Sequence, residues 1–133
     1  AAVTQRSSVK RQRSVLPTMA TVHYLEVVSN ERDATCAFYE ALWGVCFGDE
    51  VAEMGKARTA SRPDGTLVGI RKPLADHDSP IVRSYVAVED IEAAAKAAEA
   101  AGAMIAYPPT KQGEYGTFAI VILDGVQHGL WQG

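Results

Sequence analysis

Two strand-like segments of the chain carry a charged and an aromatic side chain at alternate residues. Tyr24 and Glu26 lie in the first segment, and Arg83 and Tyr85 lie in the second. Successive side chains of a strand point to opposite faces, so each pair shares one face of its strand. Buried Glu and Arg side chains are almost always paired. We therefore predict that Glu26 and Arg83 form an ion pair on the floor of a cleft.

This ion pair has two interpretations. In the first, Arg83 offers its planar, forked guanidinium to an acidic ligand, and aromatic walls supply apolar contact area. In the second, the pair only satisfies the interface between two halves of a domain. Tyr115, which lies in the glycine-bounded loop 111–116, is a candidate lid over the same cleft.

The three histidines are interpreted as structural residues. The alternation of side chains turns His23 and His128 away from the cleft, and His77 lies in a polar, solvent-exposed loop. If His23 faced inward instead, a general-base role would become available, because imidazole titrates near neutral pH.

The first segment begins a strand–helix unit. The strand Val22–Val28 is rich in β-branched and aromatic residues, and Ser29 or Asn30 is placed to cap the helix that Gly44 ends. The apolar residues at helical spacing form the predicted buried stripe: Ala34, Ala37, Phe38, Ala41 and Leu42.

The second segment repeats this plan. The strand Ile81–Val88 leads into a helix that Asp90 caps and Gly102 ends. The residues predicted to face the sheet are Ile91, Ala94, Ala95, Ala98 and Ala101.

Three further strands are predicted after each helix. Their ranges are 45–50, 56–62, 66–71, 104–107, 118–123 and 127–132. Pro108-Pro109 is expected to break the fourth of these strands, and Asp124-Gly125 is typical of a hairpin turn. The pattern is an α+β fold in which the order strand–helix–three strands occurs twice. The predicted single domain, 19–133, comprises module one (21–72), a linker (73–80) and module two (81–133).

Composition limits the function classes. Of 133 residues, 47% are hydrophobic and 22% are charged, as in soluble globular proteins, and no apolar run is long enough for a membrane span. A net charge of −3 favours neither nucleic acid nor a membrane surface as a partner. Cys36 and Cys46 are too few for a disulfide scaffold and are interpreted as reduced core or near-core thiols of a cytoplasmic protein.

Residues 1–18 differ from the rest of the chain. They are rich in serine and contain four basic residues and no acidic one. Met19 directly precedes the first periodic stretch, so this basic extension is interpreted as a tag, a vector scar or an over-extended start. The alternative is an interaction arm that crosses to a partner subunit.

Several motifs resemble the vicinal-oxygen-chelate superfamily, which includes glyoxalase I, bleomycin-resistance proteins and extradiol dioxygenases. The segments are FYEALWG, YVAVEDI with its helix and AAGA, and GTFAIVILDG followed by HGLWQ. The resemblance implies two βαβββ modules whose eight strands form an open, barrel-like cleft, usually in a homodimer. It also places Gln127, Gly129 and Trp131 inward. The predicted ligand-binding residues are therefore Tyr24, Glu26, Arg83, Tyr85, Tyr115 and Trp131.

The resemblance also locates the positions at which members of this family hold a metal. These positions fall on Tyr24, near Gly69, on Arg83 and on Gly129. Neither arginine nor glycine has a side chain that ligates a divalent cation. We therefore expect no metal and no cofactor, and a protein that binds a small acidic or aromatic molecule in its cleft. The alternatives are a metal-dependent lyase, isomerase or dioxygenase of the same superfamily, and a dimeric structural domain whose cleft is vestigial.

Overall fold

A computed structural model describes residues 22–133, so the basic extension and Met19 lie outside the described residues. Eight strands and two α-helices follow one another in the predicted order. They are β1 (Val22–Val28), α1 (Arg32–Trp43), β2 (Glu50–Val51), β3 (Ala57–Ser61), β4 (Leu67–Arg71), β5 (Ile81–Ala87), α2 (Ile91–Ala100), β6 (Met104–Lys111), β7 (Thr117–Leu123) and β8 (Val126–Gln132). Neither helix is long and apolar enough to span a membrane.

All eight strands form one open mixed sheet in the order β2-β3-β4-β1-β5-β8-β7-β6. The two modules meet at its centre, where β1 and β5 run antiparallel. In each module the first strand also pairs in parallel with the last strand, β1 with β4 and β5 with β8. The sheet is therefore two copies of one four-stranded arrangement placed edge to edge, which confirms the predicted fold class.

The central strands bring the predicted residues together. Glu26 lies directly opposite Arg83, and Tyr24 lies opposite Tyr85. On the other face of β1, Val27 belongs to the core cluster that packs beneath α1 and includes Cys36. The prediction from alternating side chains is therefore confirmed for β1.

The helix ends follow the expected rules at Gly44 and at Asp90, but not at the start of α1. Gly44 ends α1 with a φ of 67°, in the left-handed region that favours glycine. The Asp90 side chain caps α2 by accepting a hydrogen bond from Ala93 N at 3.1 Å. The cap predicted for α1 is wrong, because Glu31 occupies the N-cap without a side-chain hydrogen bond. Ser29 Oγ instead accepts a hydrogen bond from the Glu31 amide in the turn before the helix.

The buried stripe predicted for α1 is also wrong. Phe38 and Leu42 are each 58% exposed, whereas Cys36 is buried and packs with Tyr39 and Trp43. This helix has apolar side chains on two faces, so the spacing alone did not select the buried one. Arg62 lies 4.7 Å above the Trp43 ring and helps to cover the face that is buried.

Three smaller predictions are corrected. Cys46 is exposed, and the strand predicted at 45–50 shrinks to Glu50–Val51. Pro108-Pro109 does not end β6, because β6 is an edge strand in which proline needs no ladder hydrogen bond, and its register with β7 is irregular there. The Asp124-Gly125 hairpin turn is confirmed, with φ of 52° and 80° at the two residues.

Candidate functional site

The Glu26 carboxylate is the centre of the polar floor of the cleft. It accepts hydrogen bonds from Arg83 Nη1, from Arg71 Nε at 2.7 Å and from the Tyr85 hydroxyl at 2.9 Å. Glu26 and Arg83 are each 7% exposed. The predicted ion pair between them is therefore confirmed, and it forms part of a larger network.

Sequence reasoning missed Arg71, the second guanidinium of this network. Arg71 is the last residue of β4 and shares the inward face of that strand with Gly69. Its Nη1 donates to Asp78 Oδ2 at 2.7 Å and to the Lys72 carbonyl at 3.2 Å. A signal was present in the sequence, since the resemblance placed a metal position near Gly69 and Arg71 is two residues further along the strand, on the same face.

The network leaves donors unused. Among residues 22–133, no hydrogen bond reaches Nη2 of Arg71 or of Arg83, and neither atom is among the buried polar atoms without a partner. Both residues line the cavity described below. Gln127 Oε1 accepts from Arg83 Nε at 2.9 Å, which leaves the amide nitrogen of Gln127 as a third donor at the same place.

These residues line a cavity of about 490 Å³, a size suited to a small molecule. The polar floor faces an apolar and aromatic wall. The residues of that wall are Met54, Leu74, Tyr107, Phe118, Ile120 and Ile122. The Tyr107 and Phe118 ring centres are 5.8 Å apart, so part of the wall is a pair of neighbouring rings.

Tyr24 and Trp131 lie deeper than the main cavity. They line a small adjoining space of about 30 Å³ together with Glu26 and Tyr85, and their ring centres are 5.3 Å apart. Both are 3% exposed and belong to the core cluster on this face of the sheet. Their contribution is therefore chiefly to the rigidity of the floor.

Tyr115 and the histidines lie elsewhere. The Tyr115 side chain is 40% exposed and lines neither space, although its carbonyl accepts a hydrogen bond from Trp131 Nε1 at 3.1 Å. His128 is exposed, and the His23 ring lies 5.4 Å from the Trp131 ring without lining the cavity. His77 is exposed, as predicted, and also stands at the cavity rim.

Burial and hydrogen bonds shift the pKa values of the side chains in the floor. Desolvation, followed by the charge of Glu26, raises the pKa of Tyr24 and of Tyr85. Both phenols therefore stay neutral, and the Tyr85 hydroxyl donates a hydrogen bond to Glu26. Burial also raises the pKa of Asp78, but hydrogen bonds from Arg71 and from the Leu74 amide outweigh it, so the pKa of Asp78 is lowered overall. Glu26 and Asp78 lie within ion-pair distance of the two guanidinium groups of the floor.

The positions at which the resemblance implies metal ligands do not suit a metal ion in this chain. A Cβ atom at Gly69 would overlap the Tyr24 hydroxyl, and one at Gly129 would lie 2.5 Å from Tyr85 Cδ2. Two tyrosine side chains thus occupy the space above the two glycines, and the third position is the ion-paired Arg83. No group of three or more His, Cys, Asp or Glu side chains is arranged to hold a metal within residues 22–133.

The architecture defines the class: the chain has the fold of the vicinal-oxygen-chelate superfamily, with its cleft between two βαβββ modules. Among solved structures, a Streptomyces coelicolor methylmalonyl-CoA epimerase variant in complex with 2-nitronate-propionyl-CoA superposes with a TM-score of 0.61 and 19% identity, covering 86% of this chain and 98% of that chain. The Mycobacterium tuberculosis methylmalonyl-CoA epimerase gives a TM-score of 0.65 and 14% identity, covering 88% and 90%. A hypothetical protein of Bacillus halodurans gives 0.67 and 12%, covering 84% and 93%.

These similarities extend to the fold alone, because all three identities are low. No family model matches the chain, and no curated protein matches it in sequence.

Proposed function

We propose that this protein binds a small molecule without a metal and holds it in the cleft between its two modules. The observation that carries the proposal is the pairing of a donor-rich floor with an apolar, aromatic wall inside one cavity. Most small-molecule sites combine these two features, with a few polar groups that fix the orientation of the ligand.

The unused donors indicate the ligand's polar end. Glu26 and Asp78 already accept hydrogen bonds from the two arginines, whereas Nη2 of Arg71 and of Arg83 and the Gln127 amide nitrogen have no acceptor among the described residues. A carboxylate or another acceptor-rich group satisfies such donors. The Tyr107 and Phe118 rings favour an aromatic or apolar body beyond it.

Thermal unfolding tests this proposal. A panel of aromatic and aliphatic carboxylates, each with its neutral amide counterpart, should include compounds that raise the midpoint, because a ligand that binds only the folded state stabilises it by about 2.7 kcal/mol at 100 times its Kd. Ile122→Trp fills the cavity and should abolish the shift. His128→Trp, on the opposite face of the adjacent strand, should retain it. A panel without any shift would contradict the proposal.

The metal-dependent enzyme remains a second candidate, favoured by the shared fold with methylmalonyl-CoA epimerases. Elemental analysis of the purified protein separates the two. We expect zinc, nickel, manganese and iron well below one equivalent, and ligand affinity unchanged by added metal. A stoichiometric metal would favour the lyase, isomerase or dioxygenase.

We also propose that the protein is a cytoplasmic homodimer. Leu123 and Val126 pair with each other across the β7–β8 hairpin and are 43% and 55% exposed. We take this exposed apolar pair as the centre of the subunit contact in the proposal. Light scattering during size-exclusion chromatography should give twice the 14.3 kDa mass, and a monomer at all concentrations would refute the dimer.

A further inference from the structure

Asp78 reaches the cavity from a connecting segment and not from the sheet. The segment 73–80 joins the two modules, and its Asp78 Oδ2 accepts hydrogen bonds from Arg71 Nη1 at 2.7 Å and from the Leu74 amide at 2.9 Å. One of these donors lies on the floor, and the other belongs to the segment itself. The carboxylate therefore fastens the segment to Arg71.

The two carboxylates that contact Arg71 are held very differently. Glu26 lies in the middle of the central strand β1 and accepts hydrogen bonds from three side chains. Asp78 has one side-chain donor, and its side chain is 17% exposed, against 10% for Glu26. Of the two anions, Asp78 is the one that can leave Arg71 without breaking the sheet.

The segment also borders a second space. Asp78, Leu74 and Ala75 line the main cavity and a second space of about 580 Å³. No residue of the segment belongs to either core cluster of residues 22–133. A movement of the segment therefore does not unpack these clusters.

Within the described part of the chain, the Arg71 side chain has the burial and the free donor that an anion-binding residue needs. Its side chain is only 9% exposed, and Nη2 has no partner among residues 22–133. A Cβ added at Gly55 would lie 3.1 Å from Arg71 Cδ, so the side chain passes close to the Gly55 backbone. A guanidinium held in this way presents two parallel donors, Nη1 and Nη2, in the geometry that a carboxylate accepts. In the structure, Asp78 occupies only the Nη1 side.

We propose that Arg71 is the anchor for the ligand's carboxylate, and that Asp78 is a built-in competitor which the ligand displaces when it binds. The proposal rests on the proposed small-molecule function and specifies its selectivity. A neutral ligand leaves the Asp78 contact intact. A carboxylate must replace the Asp78–Arg71 contact. Only acids whose apolar part also packs against the aromatic wall therefore bind tightly to the natural protein.

Calorimetric titration with benzoate and with benzamide tests this competition in the full chain. Asp78→Asn removes the competing charge and keeps the shape and the acceptor oxygen. We expect benzoate to bind roughly tenfold more tightly to this variant, the scale of one charge-assisted hydrogen bond. Benzamide binding should change by less than about twofold. Asp76→Asn, an exposed aspartate of the same segment with the same charge change, is the matched control and should resemble the natural protein for both probes.

Hydrogen exchange gives a second measurement that does not depend on the variant. Displacing Asp78 removes the acceptor of the Leu74 amide, so saturating benzoate should speed exchange in a peptide that covers 73–80, and benzamide should not.

The outcomes separate this inference from the proposed function. If benzamide binds but Asp78→Asn gains no affinity for benzoate, the competition is refuted and the cleft still binds small molecules. The competition is also refuted if benzoate binds equally to all three proteins, or if benzoate slows exchange in 73–80. If neither probe binds the natural protein or the variant, the anchor role of Arg71 is refuted, and the wider panel decides the proposed function.

Discussion

Replacing Glu26 with glutamine is the sharpest perturbation of the floor. The substitution keeps the size and one acceptor oxygen, but its amide nitrogen must face a donor, because Arg71 Nε and Arg83 Nη1 approach the two carboxylate oxygens separately. Among residues 22–133 it also removes the one carboxylate that is ion-paired with Arg83, whereas Arg71 keeps its ion pair with Asp78.

The cost follows from burial. The side chains of Glu26 and Arg83 are 10% and 7% exposed, so solvent replaces little of the lost interaction. Breaking a buried pair by removing one partner costs about 3–5 kcal/mol, out of a typical total of about 5–15 kcal/mol. Because Arg71 retains a counter-ion, we expect the lower end, about 3 kcal/mol.

Urea unfolding at neutral pH measures this loss. With a slope of about 1–3 kcal/mol per M, the midpoint should fall by about 1 M or more. The exposed Glu89→Gln should stay within about 0.5 kcal/mol of the natural protein. In the double variant Glu26→Gln with Arg83→Met, at least about 1 kcal/mol of the summed losses should be recovered, because the unpaired charge is gone. A loss below about 1 kcal/mol for Glu26→Gln, with additive effects in the double variant, would refute the account of the floor.

Three further predictions concern the groups around the floor. In an absorbance titration, two of the five tyrosines, Tyr24 and Tyr85, should ionise only on unfolding, and stability should fall above about pH 10, because their raised pKa keeps them protonated in the folded state. Because the pKa of Asp78 is lowered in the folded state, its ionised form stabilises the fold above about pH 4, and this contribution is lost as the pH falls through the pKa of the folded protein. Asp78→Asn should therefore make the free energy of unfolding decrease less steeply at acidic pH. Gly129→Ala should destabilise the protein by about 1–3 kcal/mol on urea unfolding, because its Cβ would crowd the Tyr85 ring and the Ser84 carbonyl.

The pairing at the centre of the sheet was predictable because successive side chains of a strand point to opposite faces. Glu26 and Arg83 lie on strands with clear apolar faces, so their inward direction and their pairing followed once the two strands were taken as neighbours. The repeated order of strand, helix and three strands indicated that these two strands are adjacent. Helix capping by Asp90 and the Asp124-Gly125 turn are local effects, and both were predicted correctly.

The misses have a common physical origin in tertiary contacts. For α1, both faces are apolar, and burial was decided by the packing of Cys36, Tyr39 and Trp43 with the sheet, which no local pattern encodes. Arg71 was missed because it ends a short strand next to a polar linker and resembles a surface residue. Its inward direction follows from alternation along β4, but its contact with Asp78 depends on the path of the linker.

A crystal structure grown with benzoate and a divalent metal would show directly what the floor binds. We expect a carboxylate oxygen within hydrogen-bond distance of Nη2 of Arg71 or Arg83, and no metal at Tyr24, Gly69, Arg83 and Gly129. A metal ion held there by protein atoms at about 2.0–2.3 Å, with the floor donors still free of ligand, would contradict this expectation.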